Sequence, residues 1–234
     1  MKIGLIGYGK MGRMIEQAAL GRGAEIACIL DPFTESRGNL ADCDVVIDFS
    51  EPGAVIDNIR AAAQAEVAIV VGTTGWYDRI EEVRQIVERG SIGFVYGSNF
   101  SIGVNLMFRL AERAAEMISQ FSDYDPFIEE AHHQFKKDAP SGTAIFLKRI
   151  VEEAYHREIA VASTRAGFIP GTHTVGFDSE VDTLTITHMA RSRAGFAEGA
   201  IVAAEWIKDR KGFHEFPEVI EERFQKLMRE DQNK

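Results

Sequence analysis

Apolar residues in the first hundred positions come in short runs, each separated from the next by stretches of different spacing. KIGLIG, from Lys2 to Gly7, is the first run, and behind it Met11, Ile15, Ala18 and Ala19 recur on one helical face. EIACIL (25–30), DVVIDF (44–49), VAIVVG (67–72) and IGFVYG (92–97) repeat the strand-like pattern. The Ala-rich stretch 52–65, entered through Glu51-Pro52, and the stretch 77–89 have helical spacing. Strands alternating with helices predict a mostly parallel, doubly wound sheet. One connection is too short for a full crossover helix. Twelve residues separate Asp31 from Asp44, and they include Pro32 and Gly38, so a loop or single turn is expected there.

The pattern changes after residue 103. GVNLMFRLAERAAEMI reads as a long helix with Leu106, Leu110, Ala114 and Met117 on one face. DPFIEEAHH is strand-like, and a helix follows from Ser141 to Tyr155 with Ala144, Leu147, Val151 and Ala154 as its buried stripe. THTVGF (172–177) and DTLTITHMA (182–190) alternate as strands do. FAEGAIVAAEWIKD (196–209) returns to helix, and a charged helix spans roughly 216–230. The reading is an α/β protein: a Rossmann-type doubly wound domain over 1–102 plus 197–234, with an α+β substrate-binding domain inserted over 103–196, whose alternating strands should offer a face or edge that must be covered. A cleft between the two domains is the expected substrate site.

Composition narrows the classes. The chain has 234 residues, 45% of them hydrophobic, enough for a sizeable core. A net charge of −10 argues against nucleic acid as a partner. No apolar run is long enough to cross a membrane, and glycines interrupt the N-terminal segment where a signal peptide needs continuity, so a cytoplasmic protein is expected. Cys28 and Cys43 lack ligand-like spacing and suit a reduced compartment; no metal is expected.

Gly7, Gly9 and Gly12 form G-x-G-x-x-G between the first strand and first helix, and Asp31 ends the second strand 19 residues after Gly12. Gly7 permits a tight turn, Gly9 a close backbone approach to a diphosphate, and Gly12 close helix–strand packing. The helix N-terminus favours the diphosphate charge, and Asp31 can accept from a ribose diol. VGTTGW (71–76) and YGSNFSIGVN (96–105) follow the fourth and fifth strands, where open α/β sheets bind ligands. Taken alone, those two segments read as ordinary turns. Asp31 would repel a 2′-phosphate, and beside it stands Pro32; only Arg37 or Lys10 could offset the repulsion. NADH is therefore expected as the preferred cofactor, with NADPH also used.

EEAHHQFKKDAPSGTAIFLK (129–148) gathers proton carriers beside anion-binding groups. Free N–H groups at the start of the helix, with the Ser141 and Thr143 hydroxyls, make a cradle for a carboxylate or phosphate. A plain N-cap would use the same serine. Lys136 adds a point charge or a proton five residues upstream. The neighbouring His132 and His133 face opposite sides of a regular strand, so they share one site only if the strand ends there. A nucleotide in one domain and this cluster in the other point to hydride transfer to a small carboxylated substrate.

That segment resembles the signature of the dihydrodipicolinate reductase family, also called 4-hydroxy-tetrahydrodipicolinate reductases. GYGKMGR, VIDFS, VGTTGW, SNFSIGVN, RAGFIPGTHTV and THMARSRAGFAEGA match in the same order. The resemblance implies a homotetrameric oxidoreductase of the diaminopimelate–lysine pathway that reduces a cyclic imine dicarboxylate with NADH or NADPH. It implies catalytic roles for His132 and Lys136, and substrate contacts at His133, Lys136, Ser141, Gly142 and Thr143. Cofactor contacts are expected at Gly7, Tyr8, Gly9, Lys10, Met11, Gly12, Asp31, Phe49, Ser50, Gly72, Thr73, Thr74, Ser98, Asn99, Phe100, Arg193 and Phe196. Gln134 and Phe135 depart from the more basic character common there, and the chain is short. Either His132 or Lys136 could be the immediate proton donor. A related dehydrogenase of another small acid and a nucleotide-sensing module without catalysis are the competing classes.

Overall fold

The computed structural model describes residues 1–232, with side chains through Lys226; Asn233 and Lys234, assigned above to the first domain, lie outside the described residues. The chain divides into two compact units. The first runs from Met1 to Ile102 and resumes at Arg193; the second is Gly103–Ser192. The sequence reading closed the second at residue 196; the returning helix in fact begins at Ala194.

The first unit opens with β1 (Lys2–Ile6), α1 (Lys10–Gly21), β2 (Glu25–Leu30), β3 (Val45–Asp48), α2 (Val55–Gln64), β4 (Ala68–Val71), α3 (Ile80–Gly90) and β5 (Gly93–Tyr96). α4 (Ile102–Ile118), β6 (Asp125–His132), α5 (Gly142–Tyr155), β7 (Ala160–Arg165), β8 (Thr172–Asp178) and β9 (Thr183–Met189) follow. α6 (Ala194–Ile207), β10 (Gly212–Glu215) and α7 (Phe216–Gln232) complete the order.

In the first unit six parallel strands lie in the order β10-β5-β4-β3-β1-β2. Strand alternation sends Val45 and Ile47 of β3 to one face and Val46 to the other. Ile15 and Ala19 of α1, the Ala-rich stripe of α6, and Phe216 and Val219 of α7 cover the first face. Val55, Ile56 and Ile59 of α2 and Val83 and Val87 of α3 cover the second. The order reverses between β1 and β3, and at such a switch point open α/β sheets bind ligands beyond the carboxyl ends of the strands. The connection after Asp31 contains only a 3-10 turn, Leu40–Asp42, and a backbone pairing of Arg37 with Ile29. β10 was not anticipated, because GFHE carries no apolar run.

In the second unit a four-stranded sheet has the order β7-β6-β8-β9. β6 pairs parallel with β7 and antiparallel with β8, and β8 pairs antiparallel with β9. Ile128, Val175 and Phe177 of the sheet pack against Met107, Ala111 and Ala115 of α4 and Ala144, Leu147 and Val151 of α5. Burying a side chain the size of Phe177 is worth about 1.5–3 kcal/mol. α4 departs from the expected orientation. Its inward stripe is Val104, Met107, Ala111 and Ala115, whereas Leu106, Leu110 and Met117 are exposed. The small alanines let the helix approach the sheet closely, and the larger residues are left outside. β7 escaped the sequence reading because AVASTR is small and polar and largely exposed.

Candidate active site

The glycine loop has the geometry that a diphosphate requires. Gly7 has φ +85, and a side chain there would strike the backbone carbonyl of Phe49, the residue after β3. A side chain at Gly12 would strike the Gly7 carbonyl. Gly9 caps α1 without a side-chain hydrogen bond, has open space where a Cβ would stand, and no acidic residue occupies the first turn. The N–H groups at Lys10, Met11 and Gly12 therefore face no competing carboxylate, which suits a bound dianion. Asp31 accepts the Tyr8 N–H at 2.6 Å and the Phe33 N–H at 2.8 Å. The Tyr8 bond is the largest cause of its lowered pKa, so the carboxylate is ionised. The Tyr8 hydroxyl donates to Glu16, and Arg37 pairs with the same Glu16 at 3.5 Å.

A buried carboxylate braces the next two loops. Asp48, at the end of β3, is fully buried. Its Oδ1 accepts the Ser50 N–H at 2.8 Å, the Ser50 hydroxyl at 2.7 Å and the Thr73 hydroxyl at 3.0 Å. Its Oδ2 accepts the Asn58 amide at 2.8 Å. Burial raises its pKa against these bonds. A side chain at Gly72 would strike the far end of the Phe49 ring, so that ring abuts the loop after β4 at its glycine. Thr74 and Ser98 are exposed, and the Asn99 side chain accepts the Ser101 N–H at 2.9 Å. The Phe100 ring lies in the core, 4.6 Å from Phe216 and 6.0 Å from Phe49 between centroids, and its carbonyl packs on Gly199 of α6, so this expected cofactor contact is buried. Arg193 is exposed at the cap of α6, and Phe196 packs on the core.

In the second unit the sheet register assembles the other cluster. β6 ends at His132, so His133 turns away from strand geometry, and a tight turn follows in which the Lys136 N–H donates to the His133 carbonyl at 3.1 Å. Along β6, Glu130 and His132 share the face covered by helices. His173 on β8 lies opposite Glu130, and Arg165 on β7 lies opposite His132. Glu130 Oε1 accepts the Arg165 guanidinium at 2.6 Å and the Ser141 N–H at 3.2 Å, and Oε2 lies 2.5 Å from His132 Nδ1. Burial works against the Glu130 charge, but the bonds from Arg165, Ser163 and Ser141 outweigh it and hold the pKa near about 2. Burial lowers the pKa of His132, opposed by Glu130, and pushes His173 down to about 4.

Ser141 caps α5, its Oγ accepting the Ala144 N–H at 3.3 Å and lying 3.0 Å from His173 Nε2. That leaves the N–H groups of Gly142 and Thr143, and the partly exposed Thr143 hydroxyl, for an anion. The Lys136 ammonium pairs with both oxygens of Asp138 at 2.8 Å. Glu130, Arg165, His173, Asp138 and Asp48 were missed in the sequence. Alternation back from His132 could have found Glu130; the others depend on cross-strand register or loop contacts that sequence spacing does not show.

Family models of the dihydrodipicolinate reductase N-terminus and C-terminus match residues 1–100 and 103–220. A 4-hydroxy-tetrahydrodipicolinate reductase from Christiangramia forsetii is 41% identical over 237 residues, covering 96% of this chain and 99% of the relative. Another from Methanoculleus marisnigri is 41% identical, covering 72% of this chain and 71% of its own. The solved structure of dipicolinate-bound dihydrodipicolinate reductase from Paenisporosarcina sp. TG-14 has a TM-score of 0.80 at 23% identity, covering 93% of this chain and 98% of that one. A probable dehydrogenase from Thermotoga maritima shares the fold at a TM-score of 0.57 and 9% identity. The two family models together span nearly the whole described chain, and the chain belongs to the dihydrodipicolinate reductase family.

Proposed function

We propose that this chain reduces 4-hydroxy-tetrahydrodipicolinate to tetrahydrodipicolinate with NAD(P)H, a step of diaminopimelate and lysine biosynthesis. The observation that carries the reading is the combination in the second unit of an anion cradle at Gly142 and Thr143, a cation at Lys136 and a buried imidazole at His132. Two relatives named above carry this activity in their names, and the solved relative holds dipicolinate, a planar ring with two carboxylates. Bound reduced nicotinamide supplies a hydride.

Loss of the substrate 4-hydroxyl as water leaves a conjugated cyclic imine, and hydride addition to it requires one proton at the far end of the conjugated system. The N–H groups of Gly142 and Thr143, the Thr143 hydroxyl, His133 and Lys136 bind the substrate carboxylates. Burial keeps His132 neutral, so the Lys136 ammonium is the group that carries a proton to deliver. In the first unit the first turn of α1 holds the diphosphate and Asp31 the ribose diol. Asp31 is ionised and Arg37 is engaged by Glu16, which supports NADH over NADPH. Lys10 softens the discrimination.

A semialdehyde dehydrogenase reading requires a nucleophilic thiol. Cys28 and Cys43 are both buried in the first unit, and burial pushes the Cys43 thiol up to about 12. Among the described residues no helix is long and apolar enough to cross a membrane, and the cytoplasm is the compartment we propose. Exposed Leu106, Leu110 and Met117 on α4 and Leu184 and Met189 on β9 favour a homotetramer built through the second unit. Oxidation of reduced nicotinamide by the purified protein, dependent on added imine dicarboxylate, tests the activity; cofactor oxidation indifferent to that substrate would refute it.

A further inference from the structure

We infer that Glu130 is a positioning residue that fixes the tautomer of His132, holding its proton on Nδ1 so that Nε2 offers a lone pair to the substrate site. This deepens the functional reading above and rests on its placing of His132 beside the substrate.

The contact is specific. Glu130 Oε2 and His132 Nδ1 lie 2.5 Å apart, both are buried, and neither makes a hydrogen bond of regular geometry with any group, so this close contact is the one each has to satisfy it. The Glu130 side chain is fully buried and that of His132 is 11% exposed, so water does not compete. A carboxylate is an acceptor only, and a neutral imidazole has one donor and one acceptor nitrogen. With Oε2 ionised, two lone pairs cannot face each other at 2.5 Å, so the imidazole proton belongs on Nδ1, the atom against Glu130. The same pairing of a second-sphere carboxylate with an imidazole sets the tautomer in many sites.

Three further groups keep Glu130 in the ionised form that this role demands. Arg165 donates to Oε1 at 2.6 Å, and its guanidinium also donates to the Asp138 carbonyl at 2.6 Å, which anchors it. The Ser141 N–H donates to the same Oε1 at 3.2 Å. The bonds from these groups and from Ser163 keep the Glu130 pKa near about 2. Gly171 completes the arrangement on the other side of the ring: a Cβ there would stand 3.2 Å from His132 Nε2. Glycine at this position keeps the Nε2 edge uncovered.

Two other uses of the cluster are weaker. Donor atoms of Glu130, His132 and His173 lie within 4.8 Å of one another, as metal ligands would. The Arg165 charge already sits on that carboxylate and opposes a second cation. Glu130 as a purely architectural residue would tie Ser141 and Arg165 together but would leave the His132 tautomer free.

The consequence is chemical. An imidazole with its proton on Nδ1 accepts a hydrogen bond at Nε2 and has no proton to give there, so His132 orients or relays while Lys136 donates. The test is 15N NMR of the full-length protein labelled at histidine near neutral pH, with His132 assigned from the spectrum of a His132→Asn variant. The expected wild-type spectrum shows a protonated Nδ1 and a pyridine-type Nε2. A protonated Nε2 in the wild type overturns the proposal, and no turnover is needed to read it. In folded Glu130→Gln the tautomers should mix, with kcat lowered about ten- to hundredfold and the substrate KM changed less than about twofold. Unchanged kcat in that folded variant also overturns it. Should Glu130→Gln fail to fold with Arg165 unpaired, the Glu130→Gln/Arg165→Gln pair removes both charges and is read the same way. If His132→Asn keeps full turnover while the wild-type tautomer is as expected, the placing of His132 at the substrate fails and the tautomer assignment stands.

Discussion

The hydroxyl of Thr73 donates to the buried carboxylate of Asp48 at 3.0 Å, and through that one residue the loop after β4 is tied to the loop after β3. The same carboxylate holds Ser50 and Asn58. Asp48→Ala removes the acceptor from four donors, leaving the Thr73 hydroxyl in a buried residue and the Ser50 and Asn58 groups in half-buried ones. Its expected cost is about 1–3 kcal/mol of stability, from unpaired buried polar groups. Because Ser50 and Thr73 are both proposed cofactor contacts, the dissociation constant for reduced nicotinamide should also rise. Calorimetric unfolding and fluorescence titration measure the two effects. A variant with wild-type cofactor affinity would show that the Asp48 hub is structural alone.

Acid should destabilise the second unit in a defined window. His173 has a folded pKa near about 4, below the ordinary 6.5, because it is buried. A depressed pKa means the unfolded chain binds the proton first, so the stability from neutral His173 is present above about 6.5 and is lost as pH falls toward about 4. Glu130 acts in the same direction at lower pH: its stability is present above about 4.5 and is lost toward about 2. The unfolding temperature should therefore fall steadily below about pH 6.5. His173→Asn should flatten the upper part of that slope. A pH-independent unfolding temperature across this window would contradict the burial of an uncharged imidazole.

Much of this was legible in the chain. The alternating runs predicted five of the six strands of the first sheet, and G-x-G-x-x-G marked the turn between β1 and α1. The segment around His132 and Lys136 marked the end of β6 and the approach to α5. What stayed hidden depends on register. Arg165 is 33 residues from His132 in sequence and faces it only because β7 pairs parallel with β6. Likewise, the apolar face of α4 was read from helical spacing, yet Leu106, Leu110 and Met117 point outward, and the stripe that meets the sheet is Val104 and Met107 with the small Ala111 and Ala115. Spacing identifies an apolar stripe; which stripe is buried depends on what the sheet can accommodate.

That outward face leads to an expectation about assembly. Exposed Leu106, Leu110 and Met117 line the outer side of α4, and Leu184 and Met189 stand exposed on opposite faces of β9, apolar surface that an assembly would cover. Light scattering at micromolar protein should report a mass near four times the 26.0 kDa chain. A charged substitution such as Met189→Glu should dissociate it if β9 is part of the contact. A single 26.0 kDa species in the wild type would contradict the assembly reading.

The proposed preference for NADH rests on Asp31. Its carboxylate is anchored by the Tyr8 and Phe33 N–H groups, and Arg37 is drawn to Glu16. A 2′-phosphate beside Asp31 meets a like charge at a partly exposed site, worth on the order of 1 kcal/mol, or a several-fold preference for NADH. The ratio of the two specificity constants at fixed ionic strength measures it, and Asp31→Asn should narrow that ratio. A clear NADPH preference would mean that Lys10 or Arg37 outweighs Asp31.

The central claim is that this chain reduces a cyclic imine dicarboxylate at a site built on Lys136 and the start of α5. The most direct measurement is turnover of enzymatically generated 4-hydroxy-tetrahydrodipicolinate, followed by loss of reduced-nicotinamide absorbance, for the wild type and Lys136→Ala side by side. The account predicts substrate-dependent oxidation in the wild type. It predicts a fall of about two to four orders of magnitude in Lys136→Ala, with cofactor affinity retained. His133→Ala should act mainly on the substrate KM. A wild-type protein that binds reduced nicotinamide yet leaves this substrate untouched would contradict the account, and full activity in Lys136→Ala would remove that residue from it.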